Sequence, residues 1–259
     1  MSTSSLKCWL EQDGKLLRLR LNRPKANIID AAMISELTEA LAAHEKDPRV
    51  RAVLLDAEGP HFSFGASVPE HLPGPAAQML RQLHALILQL LQYSVPVLVA
   101  VRGQCLGGGL EVVAACHLIF VEPGAMLGQP EVKLSVIAPA ASCLLQERIG
   151  QAQAQDLLFS GRSIDAEEAH RIGLVNSLTE NSEQAAIAYF EEFLAPLSGS
   201  SLRFAVRAAN IARGRSFEDI KTKLDAIEVL YNEELIHTHD AMEGLNSFIE
   251  KRPAIWKDC

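Results

Sequence analysis

RGQCLGGGLEVVAAC, Arg102 to Cys116, follows directly on the apolar run VPVLVAV, Val95 to Val101. A short, valine-rich run of this kind reads as a buried strand, and the small and apolar residues after Gly109 read as a short helix. Gly107, Gly108 and Gly109 lie between the two. They permit close backbone approach and leave N–H groups unpaired at a helix N-terminus, a place that attracts negative charge. The run matches neither the G-x-G-x-x-G dinucleotide turn nor a phosphate loop ending in Gly-Lys-Ser/Thr. Glu111 falls in the first turn of that helix, yet its neighbours Leu110, Val112, Val113, Ala114 and Ala115 imply burial on every side. A buried acid with no adjacent cation needs a raised pKa or a partner brought from elsewhere in the fold.

The same cycle of strand, loop and helix occurs upstream. VRAVLLD, Val50 to Asp56, reads as a strand, Ala57 to Pro75 as a long turn-rich loop, and about Ala76 to Gln92 as a helix. Loops this long in compact folds are usually functional. Before them, Cys8 to Glu11 and Lys15 to Leu21 flank an Asp13-Gly14 turn and predict a hairpin. The alternation of leucine and arginine in KLLRLRL predicts that its second strand is half-buried. Asp30 caps a helix whose apolar residues Met33, Ile34, Leu37, Ala40 and Leu41 share one face. Repeated turns of strand and helix predict an α/β architecture. LVNSL, Leu174 to Leu178, is the last strand-like piece, and Asn181 to Lys251 reads almost wholly helical. The expected organisation is therefore a core over residues 1–195 followed by a helical region over 196–259. The stripe Ile220, Leu224, Ile227, Leu230 and Tyr231 exceeds what a few short helices cover alone, so self-association is expected.

Composition narrows the function. The 259 residues include 48% hydrophobic and 22% charged side chains and carry a formal net charge of −8. An acidic chain without a basic stripe is a poor partner for a phosphate backbone, so no nucleic acid is expected. Met1 to Gly14 lacks the basic flank and apolar stretch of an export signal, and the run Val95 to Val101 is far too short to span a bilayer. The five cysteines, Cys8, Cys105, Cys116, Cys143 and Cys259, are scattered and odd in number. They suit a reducing cytoplasm and provide neither a metal nor a redox ligand set.

A second acid, Glu131, follows a proline in GQPEVKL, Gly128 to Leu134. Two carboxylates whose surroundings separate their pKa values can divide acid and base duties over one water molecule. His61 and His71 lie in the long loop with Ser63 and Ser67. With no third group to orient either histidine, they read as pocket rim, His61 as a wall, rather than as a nucleophile pair.

Taken together, NRPKAN (Asn22–Asn27), FSFGAS (Phe62–Ser67), LGGGLE (Leu106–Glu111), GQPEVKL and the closing FIEKRPAIWK (Phe248–Lys257) resemble, in this order and spacing, the crotonase (enoyl-CoA hydratase/isomerase) superfamily. The resemblance implies a spiral of repeated ββα units with a C-terminal helical oligomerisation region, assembled as a trimer or dimer of trimers. It also implies an acyl-CoA thioester as substrate, with no cofactor besides. Carried over by position, the backbone N–H groups of Ala66 and Gly108 form an oxyanion hole, and Glu111 and Glu131 are the catalytic acids. Lys25, Ala26, Phe64, Gly65, Ser67, Gly107, Pro130, Ala138 and Lys251 fall at substrate-binding positions. Keeping both acids favours hydration.

Two departures stand out. Ser67 replaces the usual aspartate, and APAASCLL, Ala138 to Leu145, replaces a glycine-rich stretch. Both resemble the branch of the family whose substrate is cyclohexa-1,5-diene-1-carbonyl-CoA, an intermediate of anaerobic benzoyl-CoA degradation. The implied reaction is 1,4-addition of water giving 6-hydroxycyclohex-1-ene-1-carbonyl-CoA, with Glu131 expected to activate water and Glu111 to govern protonation. The alternatives are hydration or isomerisation of linear enoyl thioesters and, in a different class, a non-enzymatic RNA-binding relative.

Overall fold

The DG turn forms, and β1 (Leu6–Glu11) pairs antiparallel with β2 (Leu16–Leu21), Leu10 opposite Leu17. The computed structural model describes residues 4–213 and 216–259. The first three residues of the N-terminal stretch, and residues 214 and 215 of the helical stretch, lie outside the described residues. The later strands are β3 (Ala52–Ala57), β4 (Val97–Val101), β5 (Gln104–Leu106), β6 (Leu118–Val121), β7 (Met126–Gly128), β8 (Ser163–Asp165) and β9 (Ser177–Leu178). The helices are α1 (Ala31–His44), α2 (Ala76–Leu91), α3 (Gly108–Ala114), α4 (Pro139–Ser160), α5 (Ala166–Arg171), α6 (Ser182–Tyr189), α7 (Gly199–Ala212), α8 (Phe217–Val229) and α9 (His239–Glu250).

Among the described residues two sheets form, in the orders β1-β2-β3-β4-β6-β9 and β5-β7-β8. From β2 to β9 the large sheet is parallel, as expected where helices connect successive strands. Each repeat gives its first strand to the large sheet and its second to the small one, as β4 then β5 and β6 then β7. Single parallel bridges carry the small sheet backwards to earlier repeats, from Cys105 to Ser63 and from Ala66 to Ile29. This is the expected α/β spiral of ββα units. Its three-residue second strands are too short to leave a period in the sequence.

The main core lies between the sheets and α1 to α4. Asp30 caps α1 by accepting from Met33 N at 3.0 Å, and Met33, Ile34, Leu37 and Leu41 face inward. The outer face of the large sheet is covered as well, by Ala186 of α6 and by Phe190, Leu194 and Leu202 beyond it.

That cover corrects the expected half-buried second strand. Arg18 of β2 is only 2% exposed, and it bonds Asp56, Glu11 and Glu183, the last from α6. Burial opposes the charge of Arg18, but Glu183, Asp56 and Glu11 outweigh it and hold the guanidinium firmly protonated. Trp9 lies beneath both Arg18 and Arg20, with guanidinium-to-ring distances of 5.1 and 5.4 Å. The arginines in an alternating pattern were thus not solvent-facing, because oppositely charged groups from distant parts of the chain meet them.

A third, smaller apolar cluster joins Ala76, Met79 and Leu80 of α2 to Val136, Tyr231, Ile236 and Leu245. It ties the C-terminal helices to the turn carrying Glu131. Gly244 of α9 lies so close to Leu134 that a Cβ would sit 2.1 Å from its carbonyl oxygen.

Candidate active site

The two expected oxyanion residues meet because their strands run in register. Ser63 bridges Cys105 in parallel, and three residues further along both chains reach Ala66 and Gly108. Ser63 N donates to Gln104 O at 2.9 Å and Leu106 N to Ser63 O at 3.0 Å, fixing that register. A Cβ on Gly108 would lie 3.2 Å from Ala66 N and 3.0 Å from Ala66 Cβ, so any larger residue there would press the two backbones apart by a few tenths of an ångström. Among the described residues, neither Ala66 N nor Gly108 N donates to a protein acceptor. Gly108 opens α3, where an unpaired N–H is inherent to the helix. Two donors side by side, with the positive end of α3 behind one of them, suit an oxygen that gains negative charge.

Glu111 emerges from the first turn of the same helix and is 3% exposed. Its Oε1 accepts from Ala141 N at 2.9 Å. Ala141 stands in the first turn of α4, where Pro139 occupies the opening position and the next N–H groups have no intrahelical acceptor. Burial raises the pKa of Glu111, while the Ala141 and Ala140 N–H groups and His84 pull it down. The stretch Ala138 to Leu145, which departs from the glycine-rich one, therefore supplies the N–H that solvates the first acid.

Glu131 sits on a 3-10 turn, Pro130 to Leu134, rather than in an open loop. Burial, and then the negative charge of Glu111, push its pKa well above the ordinary carboxylate range. Gln129 is 1% exposed beside it. With its amide nitrogen turned toward the carboxylate, it donates to Oε1 at 3.2 Å and to Oε2 at 3.0 Å. Tyr231, fully buried, has an Oη without a partner among the described residues, and its phenol pKa is raised by burial and by Glu131.

One concave pocket brings Phe64, Gly65, Ala66, Gly107, Pro130 and Glu131 together, with His71, Val136 and Leu245 as further walls. His71 is held by the Ser67 carbonyl, 2.8 Å from Nδ1, and burial lowers its pKa. Ser63 Oγ donates to Asn27 O at 2.8 Å and accepts from Gly65 N at 3.1 Å, so its hydroxyl is committed to the backbone. His61 accepts from Gln104 N at 3.1 Å and stacks edge-on against Phe64. No serine–histidine pair results. Cys105 and Cys116 are buried, which raises both thiol pKa values, that of Cys116 to about 12.

The remaining expected positions divide. Ala26 supports the site through its carbonyl, which accepts from Phe64 N at 2.9 Å. Ala138 is buried immediately before α4. Lys25 and Lys251 are both exposed at positive φ, and among the described residues neither pairs with an acid. The structure does not bring either lysine into the pocket. Gln129, Ala141, His84 and Tyr231 were missed by sequence reasoning. Gln129 had a signal, since it precedes Glu131 by two residues on non-helical backbone; the others reach the acids only through packing.

Among the described residues no helix is long and apolar enough to cross a membrane, and no cluster of His, Cys, Asp and Glu is placed to hold a metal ion.

A ββα spiral that sets the Ala66 and Gly108 backbones side by side, with two buried acids close by, is accompanied by a family match. Residues 11–259 match the enoyl-CoA hydratase/isomerase model, and the chain belongs to that family. It is 62% identical over 257 residues to a cyclohexa-1,5-dienecarbonyl-CoA hydratase of Thauera aromatica, covering 99% of this chain and 98% of that one. A mitochondrial methylglutaconyl-CoA hydratase of Homo sapiens is 31% identical, covering 95% of this chain and 75% of its own. Among solved structures, an enoyl-CoA hydratase/isomerase from Pseudoalteromonas atlantica superposes with a TM-score of 0.80 at 26% identity, covering 97% and 99% of the two chains. An enoyl-CoA hydratase from Mycobacterium avium subsp. paratuberculosis superposes at 0.85 with 20% identity over 99% and 100%, a likeness of fold.

Proposed function

We propose that this protein adds water to cyclohexa-1,5-diene-1-carbonyl-CoA and forms 6-hydroxycyclohex-1-ene-1-carbonyl-CoA, a step of anaerobic aromatic breakdown. The observation that carries the reading is that two buried acids, Glu111 and Glu131, occur with unpaired N–H groups at Ala66 and Gly108, Glu131 lining one pocket with Ala66, in a chain 62% identical to a hydratase of that thioester. The thioester oxygen rests on Ala66 N and Gly108 N. Water loses a proton to one acid as its oxygen bonds the β-carbon, and electron density moves through the ring onto the thioester oxygen. The extended dienolate then collapses as the γ-carbon takes a proton from the other acid, leaving the double bond between the α-carbon and the ring carbon that joins it to the γ-carbon.

The electrostatics support a division of roles opposite to the one expected from the sequence. Burial raises the pKa of both acids, but at Glu111 the Ala141 N–H, His84 and the Ala140 N–H oppose the rise, whereas at Glu131 the charge of Glu111 adds to it. Glu111 is then the base that takes a proton from water, and Glu131 the acid that delivers one to carbon. The pair shares its protons and titrates as a unit.

Incubating the protein with the cyclic diene thioester and with crotonyl-CoA in parallel tests the substrate. Mass gain of one water on the diene, at least about tenfold faster than on crotonyl-CoA, is expected, since a fitted ring contributes of order 1–3 kcal/mol of discrimination. Preference for crotonyl-CoA returns the chain to linear enoyl-CoA hydration.

The protein further acts as a homo-oligomer, a trimer or dimer of trimers, in the cytoplasm, with no cofactor beyond the coenzyme A of its substrate. Its net charge of −8 opposes nucleic-acid binding. Supporting self-association, Phe204, Ile211, Val229, Phe248 and Ile255 of the C-terminal region are all more than half exposed. Sedimentation velocity is expected to show a species of three or six chains at micromolar concentration; a monomer there overturns the assignment.

A further inference from the structure

We propose that His71 is a specificity-determining residue of the pocket: its Nε2 accepts a hydrogen bond from the attacking water and, after addition, from the β-hydroxyl of the product. The inference rests on the hydratase reading above.

His71 ends the 3-10 turn Val68–His71, which begins two residues after Ala66. The Ser67 carbonyl at the head of that turn accepts from Glu70 N at 3.0 Å and from His71 Nδ1 at 2.8 Å. A carbonyl has no hydrogen to give, so the ring hydrogen sits on Nδ1, and in the neutral imidazole Nε2 carries only a lone pair. Burial favours that neutral form. Nε2 has no partner among the described residues and stays open to solvent, whereas the Nε2 atoms of His84 and His117 are sealed. On its other side the ring meets Tyr231, centre to centre at 6.3 Å and tilted.

The pocket that His71 lines is otherwise apolar. Phe64, Val68, Leu134, Val136 and Leu245 form much of its wall, and Glu131 is the other polar side chain there. A carbocyclic diene thioester brings no hydrogen-bond donor on its ring. Water, and the hydroxyl that it becomes, supply the O–H. One hydrogen of the water leaves to the base, and the other stays on the oxygen throughout the addition. A fixed acceptor with no hydrogen of its own suits that second O–H, and left unpaired in an apolar pocket it disfavours a ligand that cannot fill it.

The test compares affinity for a hydroxylated thioester with affinity for its hydroxyl-free counterpart, measured by calorimetry in Glu111→Gln so that turnover is slow. With His71 in place, 6-hydroxycyclohex-1-ene-1-carbonyl-CoA is expected to bind about tenfold tighter than cyclohex-1-ene-1-carbonyl-CoA. Adding His71→Leu is expected to cut that preference to about twofold or less while the hydroxyl-free thioester binds as before, and adding His71→Gln, whose amide oxygen also accepts, restores part of it. In otherwise wild-type protein, His71→Leu is expected to lower kcat for the diene about tenfold with KM within about twofold, since the diene carries no hydroxyl. No preference with His71 in place, or a preference that survives His71→Leu, overturns the inference. So does equal weakening of both thioesters, the signature of packing alone. If His71→Leu does not fold, nitrogen-15 NMR of Nε2 in Glu111→Gln decides: the resonance is expected to move with the hydroxylated thioester only, and an equal response to both overturns the inference. If wild type does not hydrate the diene, the proposed reaction falls, and the same comparison with 3-hydroxybutyryl-CoA and butyryl-CoA still decides the role of His71.

Discussion

Glu131→Gln is expected to lower kcat for water addition about 10³-fold, with thioester binding nearly unchanged, because under the proposed roles it removes the proton that the γ-carbon receives while leaving Ala66 N and Gly108 N to bind the carbonyl. Glu111→Gln is expected to cost a similar factor by removing the base. Product exchange separates the two roles. In heavy water Glu111→Gln still exchanges the γ-hydrogen of the hydroxylated product, since Glu131 can withdraw and return it, but does not expel water. Glu131→Gln does neither. Equal exchange in both variants contradicts the division. A stability effect accompanies this one. Because burial holds the folded pKa of Glu131 above its unfolded value, the stability linked to its protonation is complete below the unfolded pKa and lost as pH rises through the folded one. Between about pH 5 and pH 8, Tm of wild type therefore declines more steeply than Tm of Glu131→Gln.

Gly107→Ala lowers kcat about 10²-fold or more through displacement rather than through loss of a functional group. Gly107 has φ 50° and ψ −130° just before α3, a conformation that L side chains rarely adopt. Its N–H donates to Gly128 O at 2.9 Å and ties the turn to β7. A Cβ built there lies 2.6 Å from Glu131 Oε1, so the acid and the helix start cannot both keep their places. The backbone strain alone costs about 1–2 kcal/mol, visible as a lowered Tm. Gly109→Ala is an instructive comparison: its Cβ would press on Ser63, 2.7 Å away, and disturb the donor side of the site instead of the acid side. Wild-type kcat in Gly107→Ala would contradict the geometry described for Glu131.

Much of this was legible in the sequence where the signal is local. The Asp13-Gly14 turn, the Asp30 cap and the buried run Val97–Val101 each follow from a few adjacent residues, and each forms. The burial of Glu111 was likewise readable from its apolar neighbours. What was not legible depends on meetings between distant segments. Arg18 looked solvent-facing until Glu183, 165 residues away, covered it. Ala66 and Gly108 become neighbours only through the register of Ser63 with Cys105, a pairing of short strands that no periodicity announces. Ala141, His84 and Tyr231 reach the acid pair from α4, α2 and the turn after α8, and none stands near either glutamate in the chain. The acids could therefore be named from motifs, whereas the groups that tune them came only from the folded arrangement.

The most direct test of the account is to run the hydration of cyclohexa-1,5-diene-1-carbonyl-CoA in heavy water and locate the deuterium in the product by NMR. The acid pair acting across the ring on a dienolate held by Ala66 N and Gly108 N predicts hydroxyl at the β-carbon and deuterium at the γ-carbon. Deuterium at the α-carbon, the outcome of ordinary 1,2-hydration, would contradict it.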